Sequence, residues 1–332
     1  MATGDSPVRW PGWLGKPDEQ VEQVFTAVLF PASQASQGKY FDIYKKGSAK
    51  AWLAEERLPL SQELDYWNPL GVPELYTPLF GTAIFRSMPE KERKLANRHF
   101  QAWTLSQFYI GEQAGMVAAA KLVQQLPSLE LKAAVALQVM DEARHSEVFS
   151  LLMQKIDIQY PISPDLRAVF VQSLSDARWD VTALGLQLLV EGFALAMFSG
   201  IRAKTSDPLI KNVMHNISLD EARHIAIGQL TLGEFYGELT EAELKERREI
   251  VMEACQQMSA HLDAAQVWTE LGLNRRACCA AAREGPVGVR NRRGLFRRVV
   301  PLIQSVGLMN DELAAYFENL GVLQYAREEQ DR

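Results

Sequence analysis

The sequence predicts an all-α protein, a four-helix bundle with additional N- and C-terminal helices, and three observations carry that expectation. No useful length of chain alternates apolar and polar residues with period two, so strands have no signature. From Pro89 onward, long stretches with helical spacing are separated by Pro, Ser, Asp and Gly punctuation. The pentapeptide Asp-Glu-Ala-Arg-His occurs twice, at 141–145 and 220–224, and both copies fall inside such stretches.

Taken in order, residues 1–88 are rich in Pro, Gly and Trp (Trp10, Trp13, Trp52, Trp67) and read as a covering segment with short helices. Pro89 followed by Glu90, Lys91 and Glu92 opens a first long helix running to about Gln125, where Leu126-Pro127-Ser128 breaks it. Ser128 caps a second, to about Asp157, and Tyr160 to Pro164 interrupts. A short helix from Asp165 to Leu174 leads into a third long helix, Ala177 to Lys204. Ser206-Asp207-Pro208 caps a fourth, to about Tyr236, and Thr240 starts a fifth that ends near Gly272. A last helix begins at Asn310. The domain expectation is a covering segment over 1–88, the bundle over 89–238 and a helical extension over 239–332.

Composition bounds the function classes. Apolar residues are 47% and charged residues 23% of 332, an ordinary globular balance with chain enough for a sizeable core. Acidic and basic residues are mixed and the net charge is −6, which leaves no nucleic-acid footprint. Residues 274–298 hold eight arginines, read as a solvated surface. Met1 to Lys16 lacks the apolar run of a secretory signal, so a cytoplasmic location is expected. Cys255, Cys278 and Cys279 form no disulfide framework and no zinc spacing. Ala183 to Ile201 is apolar over about the ~20 residues a bilayer needs, but Glu191 sits at its centre, so it reads as a helix buried in protein and no membrane is expected.

Residues three apart share a helix face, so Glu142 with His145, and Glu221 with His224, each present two metal ligands side by side. Along the second helix that face runs Val135, Gln138, Glu142, His145, Phe149, Leu152, and along the fourth Ile210, Met214, Ile217, Glu221, His224. The ligands therefore interrupt the stripe that should face the core. Thirty residues upstream of each Glu-x-x-His stands one Glu in an apolar run, Glu112 and Glu191, which fits two helical hairpins.

A carboxylate in an apolar interior costs several kcal/mol unless paired or metal-bound, and here there are four. Two divalent ions would balance them, with two neutral imidazoles completing the ligand set. Oxygen and imidazole donors without cysteine suit iron or manganese rather than structural zinc. The set matches the ferritin-like di-metal carboxylate arrangement. Asp141 and Asp220 could hold the imidazole of the opposite copy, with Arg144, Arg223 and Gln138 in the outer layer. His99, His215 and His261 read as ordinary, His215 lying about 120° off the ligand face.

At Gly111-Glu112, both pentapeptides and Glu191-Gly192-Phe193, the sequence resembles the non-haem di-iron carboxylate oxygenases, most closely the hydroxylase subunit of bacterial multicomponent monooxygenases of methane, toluene and phenol type. The likeness covers roughly residues 95–240. It implies two iron ions, or manganese and iron, at Glu112, Glu142, His145, Glu191, Glu221 and His224, with O2 as co-substrate and electrons from a reductase or ferredoxin. Glu112, Glu142 and His145 would bind one ion, and Glu191, Glu221 and His224 the other. It also implies a small, largely apolar organic substrate in a cavity lined by Phe108, Gly111, Gly115, Phe149, Leu195, Ser199 and Ile217. A homodimer is expected from the fold class alone. Those hydroxylases carry Thr where this chain has Leu195. Class I ribonucleotide reductase places a radical Tyr where this chain has Phe149. Arylamine N-oxygenases of this fold carry an added His where Ile217 stands, which disfavours an N-oxygenase of that type. Hydroxylation is thus the expected reaction, with N-oxidation or desaturation as alternatives, and iron handling or a non-catalytic subunit as alternatives of another class.

Overall fold

The computed structural model describes residues 38–320 and 322–323. The expectations for Met1 to Lys16, Trp10 and Trp13 lie outside the described residues. Three short helices come first, α1 (Lys39–Ser48), α2 (Ala54–Arg57) and α3 (Ala83–Ser87), with a 3-10 turn at Glu74–Tyr76. The long α4 (Glu90–Gln125) follows Pro89, and α5 (Leu129–Met153) is capped by the Ser128 hydroxyl accepting from the Leu131 amide. Next come α6 (Pro164–Ser175), α7 (Trp179–Thr182), a π-helical stretch (Ala183–Val190) and α8 (Glu191–Lys204). The Asp207 carboxylate caps α9 (Pro208–Tyr236), and a Thr240/Glu243 capping box opens α10 (Glu241–His261). The chain continues through α11 (Ala265–Glu270), α12 (Arg275–Glu284), α13 (Pro286–Ser305) and α14 (Asp311–Asn319). No strand occurs among the described residues, so the all-α class stands.

Two antiparallel pairs form the bundle, α4 against α5 and α8 against α9, with α5 meeting α9. The remaining helices cover it. Trp52, Leu58 and Leu70 from the first segment close one side against Phe149, Phe198 and Ile210. On the other side α10 and α13 pack over the π-helical stretch, with α14 against α10, through a core that includes Val251, Phe296, Val299 and Phe317.

Three elements differ from the sequence expectation. The second helix stops at Met153 rather than near Asp157. The fifth divides: Ala264 adopts a left-handed φ of 51°, and α11 restarts at Ala265. That turn is tied down by Asp263, whose carboxylate pairs with Arg283 and Arg292 and whose carbonyl accepts from Trp268 Nε1 at 2.7 Å. Thus Arg283 and Arg292 are structural ion pairs, while most of the arginine-rich stretch is exposed. The third helix is regular only from Glu191, because eight residues before it wind with the wider i→i+5 turn. Of the apolar window within Trp179–Lys204, 78% is buried inside the protein.

Candidate metal centre

The six ligand candidates reach the centre from the four bundle helices. Glu112 comes from α4, Glu142 and His145 from α5, Glu191 from the first residue of α8, and Glu221 and His224 from α9. All six are buried. One ligand atom each from Glu112, Glu142, His145 and Glu221 lies within 4.8 Å of the others, and the same holds for Glu142, Glu191, Glu221 and His224. Glu142 and Glu221 belong to both sets, so each set offers four donors with these two carboxylates in common.

The helices approach closely enough for this because Gly115 has no side chain. A Cβ there would stand 3.0 Å from Glu142 Oε2. A similar economy operates at Gly185, where a Cβ would collide with the Ser173 hydroxyl of α6.

Both imidazoles turn the same nitrogen inward. His145 Nδ1 lies 3.2 Å from Glu112 Oε2 and 3.2 Å from Glu221 Oε1. His224 Nδ1 lies 3.2 Å from Glu142 Oε1 and 3.5 Å from Glu221 Oε2. The outward nitrogens cross over: His145 Nε2 meets Asp220 Oδ2 at 3.3 Å, and His224 Nε2 meets Asp141 Oδ2 at 3.1 Å. An imidazole donating Nε2–H to a carboxylate leaves Nδ1 as a lone-pair donor, the tautomer a metal needs.

Asp141 and Asp220 are tied together by Arg144 and Arg223. Arg223 Nη2 donates to Asp141 Oδ2 at 2.6 Å and to Asp220 Oδ1 at 2.8 Å. Arg144 donates to Asp141 and, at 3.1 Å, to Asp220 Oδ2. The result is a closed ring of two cations and two anions with no net charge. Trp52 Nε1 adds a hydrogen bond to Asp220 Oδ2 at 2.9 Å, and Arg144 lies over the Trp52 ring. On the other flank Gln138 Nε2 donates to Glu191 Oε1 at 2.6 Å, and Gln187 Nε2 donates to Gln138 Oε1 at 2.7 Å.

Charge balance shows what the cluster requires. Burial pushes the carboxyls of Glu112 and Glu191 well above the usual range. Burial also pulls the imidazoles down, but hydrogen bonds to Asp220 and Glu112 for His145, and to Asp141 and Glu142 for His224, outweigh it and raise both. Glu142 stays below its ordinary value despite burial, held there by the two imidazoles. With protons as the only cations, the cluster keeps protons on groups that should shed them. Glu191 Oε2 is buried without a hydrogen-bond partner, and His224 Nδ1 faces the Glu142 and Glu221 carboxylates without a well-aligned hydrogen bond. Two divalent ions among these donors would satisfy both and release the protons, so the residues fit a di-metal centre.

Sequence reasoning missed Gln187 and Trp52. Gln187 carried a signal, being the one polar residue in an apolar run. Trp52, in the covering segment, carried none.

An apolar cavity of about 100 Å³ adjoins the cluster, the same order as an apolar cavity that holds a benzene ring. Of the six ligand candidates, Glu112, Glu142, Glu191 and Glu221 line it, while His145 and His224 lie behind them. Phe108, Gly111 and Gly115 line it as expected from sequence, joined by Leu186, Phe193, Ala194 and Met197. Phe149, Leu195, Ser199 and Ile217 do not. Phe149 packs behind the ring of Phe108, with centroids 5.5 Å apart. Leu195 is turned one position, about 100°, away from cavity-lining Ala194. Ile217 is fully buried with Val213 and Met214 in the core cluster that also holds Phe149 and Phe198. Ser199 lines a separate cavity. His261, read as ordinary, forms part of the cavity wall and hydrogen-bonds Ser163 Oγ through Nδ1 at 2.6 Å. His99 bonds the Tyr160 hydroxyl.

A family model described as p-aminobenzoate N-oxygenase AurF matches residues 59–307. No curated protein matches the chain. Among solved structures, one R2-like ligand-binding oxidase variant with an anaerobically reconstituted Mn/Fe cofactor aligns with a TM-score of 0.57 and 16% identity. The alignment covers 84% of this chain and 97% of that one. A second such variant aligns at 0.57 and 17% over 84% and 96%, and a third, aerobically reconstituted, at 0.55 and 16% over 84% and 96%. At this identity the likeness shows the fold.

Proposed function

We propose, from the premise that the chain belongs to the p-aminobenzoate N-oxygenase AurF family, that it is an O2-dependent di-metal N-oxygenase oxidising an amine nitrogen on an apolar, aromatic substrate. The carrying observation is the pair of four-donor sets that share Glu142 and Glu221 and open onto an apolar cavity. Family membership favours N-oxidation over the hydroxylation expected from the multicomponent-type resemblance. Ile217 in place of a histidine is then a departure of this chain within the family, with one imidazole fewer beside Glu221.

The first ion would be held by Glu112, Glu142, His145 and Glu221, the second by Glu142, Glu191, Glu221 and His224. Two iron ions, or manganese and iron, would supply reductive activation of O2 there. The chain's own residues orient and shield. Asp141 and Asp220 fix the imidazole tautomers, Gln138 positions Glu191, and the Phe108, Phe193 and Leu186 wall excludes water from the reacting face. The overall balance is R–NH2 + O2 + 2e⁻ + 2H⁺ → R–NHOH + H2O, with the electrons from a reductase or ferredoxin.

The test is turnover of an arylamine panel, including p-aminobenzoate, by iron-loaded protein with a reductant under ¹⁸O2, read by mass spectrometry. Label on nitrogen is expected. Label on carbon would replace this reading with hydroxylation, the second reading that Ile217 favours. Iron oxidation with no organic product would replace both with iron handling.

A further inference from the structure

Beside the cavity at the carboxylates lies a second one of about 430 Å³, and Phe100, Thr104, Met197, Asn291 and Leu295 stand in the walls of both. Helix α8 runs along the pair. Glu191, Ala194 and Met197 face the inner cavity, and Met197, Gly200 and Lys204 the outer, a single stripe at helical spacing.

Two cations guard the outer chamber over one aromatic ring. Lys204 Nζ lies 4.3 Å and Arg290 Cζ 4.8 Å from the centroid of Tyr76. Among the described residues neither pairs with a carboxylate; Arg290 makes only a 3.4 Å contact to the Leu75 carbonyl. Lys204 folds back along its helix, its ammonium 3.7 Å from where a Cβ of Gly200 would stand. Burial and the Arg290 charge both work against protonation of Lys204. A ring face offsets only part of the repulsion between two neighbouring cations, and an anion between them would remove it.

We propose that the outer cavity is a carboxylate-anchoring antechamber: Lys204 and Arg290 hold an acid group at the far end of the substrate while its apolar body extends into the inner cavity. This rests on the reading of the inner site as one that oxidises an apolar substrate. Helix α8 supplies the ruler. Gly200, beside which the Lys204 ammonium lies, is nine residues beyond Glu191, about 14 Å along the axis. The acid and the oxidised atom are therefore separated by on the order of 10 Å after the side chains reach inward, more than one para-substituted benzene ring provides.

The test is calorimetric binding to metal-loaded protein, without reductant, of ω-(4-aminophenyl)alkanoic acids and their matching primary amides, followed by turnover of the same ligands with reductant and O2. Acids should bind at least tenfold tighter than amides, with about a fourfold gain per methylene until the span is filled. Lys204→Gln and Arg290→Gln should each remove most of the acid preference and leave amide affinity unchanged, the unchanged amide also reporting an intact fold. Equal affinity for acid and amide, or variants that weaken both alike, would overturn the proposal. An acid preference with no oxidised product from any such ligand would instead count against the N-oxygenase reading and leave the antechamber standing.

Discussion

The two halves of the bundle carry the same pentapeptide and yet build different surroundings for their ligands. In the α4/α5 half, Glu112 sits in the middle of a regular 36-residue helix, beside the bare backbone of Gly111 and Gly115. In the α8/α9 half, Glu191 emerges from an eight-residue π-helical stretch and is held by Gln138, which Gln187 orients. The aspartates differ too, since Asp220 receives Trp52 and Asp141 does not. A repeated motif specifies Glu, His and the Asp and Arg that cross to the other copy, because each copy carries all four within five residues of its own helix. It does not specify the lone Glu opposite, whose setting depends on another helix.

The sharpest way to break this near-symmetry is to remove what both halves share. Glu142→Ala or Glu221→Ala should empty both ion positions and lower activity by more than about 100-fold, beyond the effect of an outer partner. Glu112→Ala should retain about one metal per chain by elemental analysis. If Glu142→Ala also retained one ion, the shared-carboxylate arrangement would be wrong.

One step smaller, Asp141→Asn and Asp220→Asn should each weaken metal affinity by about 10–100-fold, at the ion of His224 and of His145 respectively. Titration with an iron chelator, read by a spectroscopic signal that separates the ions, should show one ion lost before the other, in opposite order for the two variants. Next, the outer hydrogen bonds separate the halves energetically. Gln138→Leu and Trp52→Phe should each cost about 1–3 kcal/mol in denaturant unfolding, and only Gln138→Leu should disturb Glu191.

A further effect belongs to neither half. Burial pulls His261 from 6.5 to about 4, so the unfolded chain takes up this proton first as pH falls. Its contribution is complete above pH 6.5, shrinks towards pH 4 and amounts to at most about 3 kcal/mol. His261→Gln should flatten the pH dependence of stability in that window, whereas a slope unchanged by the substitution would mean that other groups set it.

Much of the fold was legible because helix punctuation is local. Ser128, Asp207 and Thr240 each accept the amide bond their position promised. The six ligand candidates were legible because charged residues interrupting an apolar stripe demand a reason. The π-helical stretch and the break at Ala264 were not. Winding over Ala183–Val190 is decided by packing against α6 and α10, and the left-handed Ala264 by Asp263 binding two arginines far along the chain. Four of the seven cavity candidates failed for a related reason. The difference between Ala194 and Leu195 is one step of helix rotation, which a motif alignment does not resolve.

The neutral Asp/Arg ring seals the imidazole side of the cluster, and the cavity meets only the four carboxylates. The centre thus has a back wall and, among the described residues, one face that meets the cavity, beside Gly111 and Gly115. A molecule filling that cavity delays whatever follows. Turnover then depends on the sequence of arrivals, with excess substrate slowing oxygen uptake, and the smallest side chains in the wall control traffic.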